Sequence, residues 1–421
     1  MKKIVNRLNR LNRLNYRVAV VAVSAILGIS TLGVESAVAL DNKVKIGGVY
    51  DFTGVYYKTN GKPEQRKVSN NQREFGLDTS GHIFLDYSLV GEYGDSYGAK
   101  ISLEHTTAND RSIPFFIYHE AGYGRLEVGA ESSAGKKMRI TGYTASSGLG
   151  NGWSIYVATT PNNPDNPKER LVAYVVNFCS FLDAKSRIPQ RVDYSRKITY
   201  FTPKMSFSEG HSLQLGISYV PDSSNMGHEK IDKDRKSVPL VSVPYNFAIR
   251  DGFSYGVGYS GKFSDDIAAR ISFVGEKGRA VPFRKSDKKK SDIKFQHLNT
   301  YVIGGELKYN KVSFSAAYTN YNKSLTAKEV DLISRETYAY GLGVKYSLNK
   351  CNVSANYFFS SHKKSKLDVV SLGADYLVAK GLKTYFQSSV YRTDGKYLQN
   401  SIVKSNKNKG VLLALGTTIS F

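Results

Sequence analysis

Residues able to do chemistry are scattered along this chain, and most of them assemble into nothing reactive. Gly256, Gly261 and Lys262 have the spacing of a phosphate-binding loop, but Phe263 stands where that loop needs a Ser or Thr hydroxyl. The same segment alternates like a strand and no helix follows it, so its glycines read as small residues on one strand face. The histidines, His82, His105, His119, His211, His228, His297 and His362, show no metal-ligand spacing. His119 and Glu120 form a lone neighbouring pair, and no Ser/His hydrolase set is recognisable. Enzyme activity, a bound metal and a cofactor are therefore not expected. What remains is charge. Lys136, Lys137 and Arg139 crowd into four positions, with Glu127 and Glu131 just before them. Such groups attract or repel ions without transforming them.

The elements that position these charges are strands. In residues 411–421, Val411, Leu413, Leu415, Thr417, Ile419 and Phe421 share one face, and Leu412, Ala414, Gly416, Thr418 and Ser420 share the other. Period-2 alternation marks a strand between two different environments. Similar segments recur as hairpins. Tyr301, Ile303, Gly305, Leu307 and Tyr309 are followed by an Asn310-Lys311 turn, then Val312, Phe314, Ala316 and Tyr318. Tyr338 to Tyr346 turns at Leu348-Asn349-Lys350 into Val353, Ala355, Tyr357 and Phe359. Very short turns on one side and long polar loops on the other are the signature of a membrane β-barrel. Sixteen strands are expected, starting near Val44, Ile83, Gly98, Ile113, Arg125, Lys197, Ser212, Phe253, Ile267, Tyr301, Val312, Tyr338, Asn352, Asp368, Leu382 and Gly410. The chain has 30 Tyr and 20 Phe, an excess that suits interfacial girdles. A mean hydropathy of −0.35 fits a wall that shows lipid only alternate residues.

The front of the chain suggests a compartment. Lys2, Lys3, Arg7, Arg10, Arg13 and Arg17 precede an apolar run over residues 18–34 and then Ala37-Val38-Ala39. That order is a secretory signal peptide, with cleavage expected after Ala39. Losing its six bases and one acid, Glu35, lowers the formal charge from +23 to +18. An exported barrel argues against nucleic acid as the partner of that charge. Cys179 and Cys351 fall at opposite ends of the layout and are expected to be free thiols.

One connection, residues 132–192, is too long for an ordinary loop. It carries Trp153, Pro161, Pro164 and Pro167, and an apolar run over residues 171–178 that suits packing inside the barrel more than free solvation.

Residues 113–140 and 193–221 resemble two successive hairpins of the Gram-negative trimeric general porins. The first is an aromatic-rich strand, a Gly turn and a strand ending in Gly and polar residues; the second has Tyr, Pro203-Lys204 and a closing Tyr219. Residues 371–391 and the terminal Gly-Thr-Thr-Ile-Ser-Phe also fit, with Phe421 as an assembly signal. The resemblance implies an all-β, antiparallel up-and-down transmembrane barrel over residues 40–421, with 132–192 folded inward as the constriction loop. It implies a homotrimer in the outer membrane, among outer-membrane lipids and lipopolysaccharide, inserted by the barrel assembly machinery. Alternation points Lys45, Lys100, Lys197, Arg270, Lys308, Lys345 and Lys383 inward, with Asp51, Asp86, Glu104, Glu127, Glu131, Glu306 and Asp375. For the narrow zone the candidates are Lys136, Lys137 and Arg139, with Arg270 on the facing wall, and Lys45, Lys100, Glu127, Glu131 and Asp51. Net basic charge is expected mostly in loops, at residues 230–236, 279–294, 363–366 and 404–409, where it would favour anions at a pore mouth. The function expected is passive diffusion of small hydrophilic solutes; the alternative is a structural or adhesin barrel with a largely closed lumen.

Overall fold

The structure, a computed structural model, describes residues 41–59, 74–91, 94–106, 111–156, 178, 180–183, 195–223, 247–282, 295–325, 336–362, 364–399 and 402–421. The expected leader, residues 171–177, Cys179 and the basic stretches 230–236 and 283–294 lie outside the described residues. No described helix is long and apolar enough to cross a membrane, which says nothing of a barrel.

Every described strand pairs with its neighbours in one antiparallel sheet that closes on itself. Strand β1 is Asp41–Thr59, β2 Phe75–Val90 and β3 Ser96–Thr106. Strand β4 comes in two pieces, Arg111–Ser112 and Phe115–Ala121, both paired with β3 across the interruption at Ile113-Pro114. Strand β5 is Gly124–Ala130. Strand β6 is also split, into Arg196–Phe201 and Met205–Ser208, both paired with β7, His211–Asp222. Proline lacks the donor that a ladder needs, so Pro114 and Pro203 sit at the two interruptions. The rest follow in order: β8 Phe247–Lys262, β9 Ile267–Pro282, β10 Leu298–Tyr309, β11 Val312–Asn322, β12 Thr337–Leu348, β13 Cys351–His362, β14 Ser365–Ala379, β15 Leu382–Gln399 and β16 Ile402–Ser420. Counting each split strand once gives the sixteen that the sequence predicts.

Closure is made by β1 and β16, in register from Val49 opposite Ser420 to Thr59 opposite Gly410. Phe421 extends the seam: its N–H donates to the Gly48 carbonyl over 3.1 Å, and the Gly48 N–H donates to the Phe421 carbonyl over 3.0 Å. At the end that holds Phe421, adjacent strands are joined by tight turns, several of two residues. Asn310 (φ 49) and Gly381 (φ 80) supply the positive φ that such turns demand.

The two faces differ as alternation requires. Ile46, Phe52, Leu103, Ile117, Ile271, Phe314, Leu342, Leu372, Val390 and Leu415 are all outward and exposed. An aromatic chain runs around the same face, Tyr255–Phe273–Tyr301–Tyr318–Tyr338–Phe359, with neighbouring ring centroids 6.0–6.4 Å apart. This face suits hydrocarbon bounded by an aromatic girdle. Wall height is uneven. β1 and β16 have 19 residues each, whereas the main piece of β4 and all of β5 have 7.

Two expectations change. Residues 404–409 are not a loop: β16 begins at Ile402, eight positions before the expected start. The hairpin of β15 and β16 simply continues past the apolar band, where outward positions turn polar and the alternation signal vanishes. Arg279 likewise lies within β9. Cys351 is a free, partly buried thiol.

A cation placed on the outward face tests which rows meet hydrocarbon. Leu372→Arg is expected to cost about 2–4 kcal/mol of stability, the depth-dependent cost of a cation near the bilayer midplane. Urea titration of folding into lipid vesicles reads it directly. A cost near zero would place that row outside the hydrocarbon.

Candidate pore and constriction

The long connection enters the barrel and is held there by a buried ion pair. The Lys197 ammonium on β6 lies 2.8 Å from the Asp183 carboxylate, and each side chain is 1% exposed. Asp183 also accepts from the Ser133 backbone N–H (3.0 Å), the Ser133 hydroxyl and the Ser180 hydroxyl (2.9 Å). Residues fifty positions apart, at the start and return of the connection, are thereby stapled to one wall lysine. Lys197 donates as well to the Glu131 carbonyl. Two buried charges are costly unless paired and hydrogen-bonded, and here every partner is supplied.

From this staple the segment crosses strand after strand on their inner face. Ser133 precedes a short helix, α1, Ala134–Met138, and spends its hydroxyl on Asp183, not on capping. The Ala134 N–H donates to Ser218 Oγ on β7 over 2.8 Å, and Gly135 N–H to Ser254 Oγ on β8 over 3.0 Å. Ile140 N–H donates to Ser272 Oγ on β9 (3.0 Å), Ala145 N–H to Ser315 Oγ on β11 (3.0 Å) and Ser147 N–H to Ser354 Oγ on β13 (2.8 Å). Asn356 Nδ2 donates to the Gly142 and Ala145 carbonyls, and Gln387 Nε2 on β15 to the Gly150 carbonyl over 3.1 Å. Tyr156 finally donates to Asp78 on β2 over 3.1 Å. Wall glycines make the close approach possible. A Cβ on Gly304 would stand 2.2 Å from the Ile140 carbonyl, and one on Gly373 2.3 Å from that of Ser147. Irregular backbone in a barrel needs partners of this kind, because each buried peptide left unpaired costs about 1–3 kcal/mol.

Aromatic packing fixes the far part. Trp153, fully buried in a 3-10 turn at Gly150–Ile155, stacks obliquely on Phe358 (5.6 Å) and donates its indole N–H to Tyr143 Oη over 3.0 Å. Phe178 meets Phe358 edge-on at 5.7 Å. They join an apolar cluster with inward-facing Val55, Val302, Ala339, Val369 and Leu412. Phe178 is thus core packing, as its apolar run suggests.

Among the described residues, the segment's backbone docks along the inner wall from β7 to β15, and its Lys137 side chain reaches Glu127 on β5. The wall of β3 to β5 carries paired charge. Glu127 accepts from Lys137 Nζ (2.5 Å) and Arg125 Nε (2.9 Å), and Arg125 reaches Glu120 at 2.8 Å. Arg125 lies 3.9 Å from the Tyr118 ring centroid, Lys137 5.0 Å from that of Phe116 and Lys100 4.7 Å from that of Phe84. Asp86 lies opposite both Lys45 and Lys100 in the register and accepts from Tyr118 Oη at 3.1 Å. Near the seam, Asp51 accepts from Thr53 (2.6 Å), Tyr385 (2.7 Å) and Thr418 (2.8 Å).

The inward set expected from alternation sits on this inner face by register, except Glu131, which lies past the end of β5. The basic trio, however, is not three open charges. Lys137 is tied to Glu127, the Lys136 charge acts on Asp183, and the Arg139 charge acts on buried Glu276. Glu276 in turn accepts the Phe181 N–H at 2.8 Å. Arg270 corrects a second expectation. It pairs with Glu306 (2.7 Å) two residues from Ser272, on the wall that carries the segment and not across from it. The Glu131 carboxylate turns back to the Ser132 N–H at 2.7 Å. Sequence reasoning missed the ladder of wall serines, whose only signal is small polar residues at inward positions of successive strands.

A closed sixteen-stranded antiparallel barrel with an apolar outer face, a polar inner face and an inward-folded segment defines a transmembrane channel of the outer membrane. The Gram-negative porin family profile matches residues 19–396, and this chain belongs to that family. It is a multi-pass outer-membrane β-barrel. An uncharacterized protein of Rickettsia typhi is 28% identical over 426 residues, covering 90% of this chain and 93% of the relative; one of Rickettsia conorii is 28% identical over 420, with the same coverage. Among solved structures, the anion-selective porin from Comamonas acidovorans superposes with a TM-score of 0.53 at 14% identity, over 90% of this chain and all of that one. That likeness is one of fold.

Burial alone would raise the Asp183 pKa; the Lys197 charge and the hydrogen bonds outweigh it and hold the carboxyl below the usual aspartate range. A group depressed on folding stabilises above its unfolded pKa, about 3.9, and loses that contribution as pH falls through its lower folded value. The Asp183 contribution to docking is therefore expected to be constant from neutral pH down to about 4 and to be lost only below it. Asp183→Ala should cost the docked state about 3–5 kcal/mol, because Lys197 stays buried without its partner. Hydrogen exchange across residues 133–156 measures both. Unchanged protection in the variant would remove the staple from the argument.

Proposed function

We propose that this protein is a passive diffusion channel for small hydrophilic solutes, narrowed at mid-height by residues 132–192. One observation carries the reading: the serine ladder lays the backbone of residues 134–150 along the wall from β7 to β15, to one side of the charged wall of β3 to β5. A barrel of this strand number encloses water. The wall of β3 to β5 offers charges of both signs in matched pairs, which suits hydrated solutes of either charge. The preference for anions is correspondingly mild, arising from the overall basic excess and not from an isolated cluster. A cleaved leader over residues 1–39 and a terminal assembly signal at Phe421 complete the proposal. So do a homotrimer resting on the low wall of β4 to β6 and insertion by the assembly machinery. A closed structural barrel is the second reading, favoured by the apolar cluster around Trp153 and Phe358.

Single-channel recording in planar bilayers separates the two. Stable conductance steps are expected, and their absence from folded protein would favour the closed barrel. Reversal potential across a salt gradient should show slight anion preference that fades at high salt, as screening shortens electrostatic reach. Glu127→Gln, which releases Lys137 and Arg125, should strengthen it, and Lys137→Gln should weaken it. Cation preference in the unmodified channel would overturn the selectivity proposal and leave the pore standing. Deleting Phe421 removes two seam hydrogen bonds and is expected to lower the yield of heat-modifiable, folded protein.

A further inference from the structure

At the tight-turn end of β3, β4 and β5, one row of the outer face is unlike its neighbours. Ala99 and Ile117 face each other across β3 and β4; one row nearer the turns, Tyr97 faces His119, with Leu126 next on β5. The Tyr97 and His119 rings stack nearly parallel, their centroids 4.2 Å apart and their planes 18° from each other. Both polar tips reach one carboxylate. Asp95, in the turn before β3, lies 3.1 Å from His119 Nε2 and accepts the Tyr97 hydroxyl. The other ring nitrogen, Nδ1, is hydrogen-bonded to the Tyr123 hydroxyl, in the turn between β4 and β5. Tyr123 is itself tied down, because its carbonyl accepts from Tyr200 Oη on β6 at 2.5 Å. A row of tyrosines alone would be a girdle. A girdle calls neither for a carboxylate shared by a phenol and an imidazole nor for an imidazole held at both nitrogens. Among the described residues, no Lys or Arg forms an ion pair with Asp95.

We propose that the Asp95 carboxylate, Tyr97 Oη and His119 Nε2 form a binding site for ferric iron. Imidazole suits iron among the first-row metals, hard oxygen anions favour its higher charge, and tyrosinate holds iron in some haem proteins. Donors about 2.0–2.2 Å from a first-row ion stand about 3 Å apart when they meet it at right angles, close to the separation of Asp95 and His119. The ion takes the place of the hydrogens that bridge these atoms. Tyr97 gives its phenol proton to solvent, and the neutral imidazole keeps its one proton on Nδ1, where it donates to Tyr123 Oη. That outer hydrogen bond fixes the tautomer and the ring orientation, as partners of metal-bound histidines do. Three protein donors leave the remaining positions to water or a small anion. Tight turns mark the periplasmic side of an outer-membrane barrel, so the site opens there, outside the lumen and apart from the solute path. Histidine spacing does not reveal it, because a single His shares the ion with an Asp and a Tyr that strand register brings beside it.

The test uses the full chain folded into phosphatidylcholine nanodiscs and titrated with ferric nitrilotriacetate at neutral pH. Iron retained per chain after desalting and visible absorbance are the two readouts. An iron–phenolate bond gives a charge-transfer band that ferric nitrilotriacetate lacks. The parent should retain one iron per chain and show the band. Tyr97→Phe should abolish the band while the protein keeps its heat-modifiable, folded form. Tyr123→Phe spares all three donors and should keep the band while weakening the apparent affinity about 10–100-fold, the cost of losing such an outer partner. Asp95→Asn and His119→Gln should each weaken it further. Tyr376→Phe, at an exposed tyrosine near the same end of β14, should change nothing. No band in the folded parent, a band that survives Tyr97→Phe, or equal retention of iron by His119→Gln would overturn the site. Displacement of the iron by equimolar zinc sulfate would overturn its assignment to ferric iron. No conductance is read, so failure here is distinct from failure of the pore reading.

Discussion

A peptide group has no partner in hydrocarbon, and the rest of this structure follows from that constraint. The sheet has to close, so β1 meets β16 and the Phe421 peptide completes the seam at Gly48. Closure gives each strand one face toward lipid and one toward the lumen. The lumen face, freed from being apolar, carries the serines, asparagine and glutamine that later serve as partners. Those partners take up peptide groups along the irregular backbone that lies inside the barrel. The pore is what this lining leaves uncovered.

Paired charge, and not net charge, governs that opening. A formal +23 for the whole chain suggests a strongly basic channel. At the wall of β3 to β5, though, Lys137 and Arg125 share Glu127, and Asp86 stands between Lys45 and Lys100 in the register. Part of the basic excess lies on outward rows of the hairpin of β15 and β16, beyond the reach of a solute in the lumen. Charge acts through position: a cation held against a carboxylate orients the site more than it biases it.

The barrel itself was legible in the sequence, because alternation is a local signal repeated sixteen times. Tyr301 to Tyr309, the Asn310-Lys311 turn and Val312 to Tyr318 state a hairpin without outside help. Limits appeared where the outer environment changed. Past Val411 both faces of β16 are polar, so Lys407 and Lys409 read as loop although they are in register with Asp394 and Arg392. The path of the inner segment was illegible for another reason. Ser218, Ser254, Ser272, Ser315 and Ser354 look like ordinary inward polar residues, and each acquires its role only from an amide far away in sequence. Arg270 shows the same limit: alternation gave its face, but which wall the segment covers was a long-range fact.

A covalent tether asks directly whether the segment is held against the wall in the conducting protein. Ser147 and Ser354, whose N–H and hydroxyl lie 2.8 Å apart, can be changed as Ser147→Cys with Ser354→Cys in a background of Cys179→Ser and Cys351→Ser. With residues 134–150 docked along β7 to β15, the pair should cross-link readily on oxidation, and single-channel conductance should be the same oxidised and reduced. A cross-link that fails to form in folded protein, or one that sharply changes the conductance, would contradict docking as the state that defines the pore.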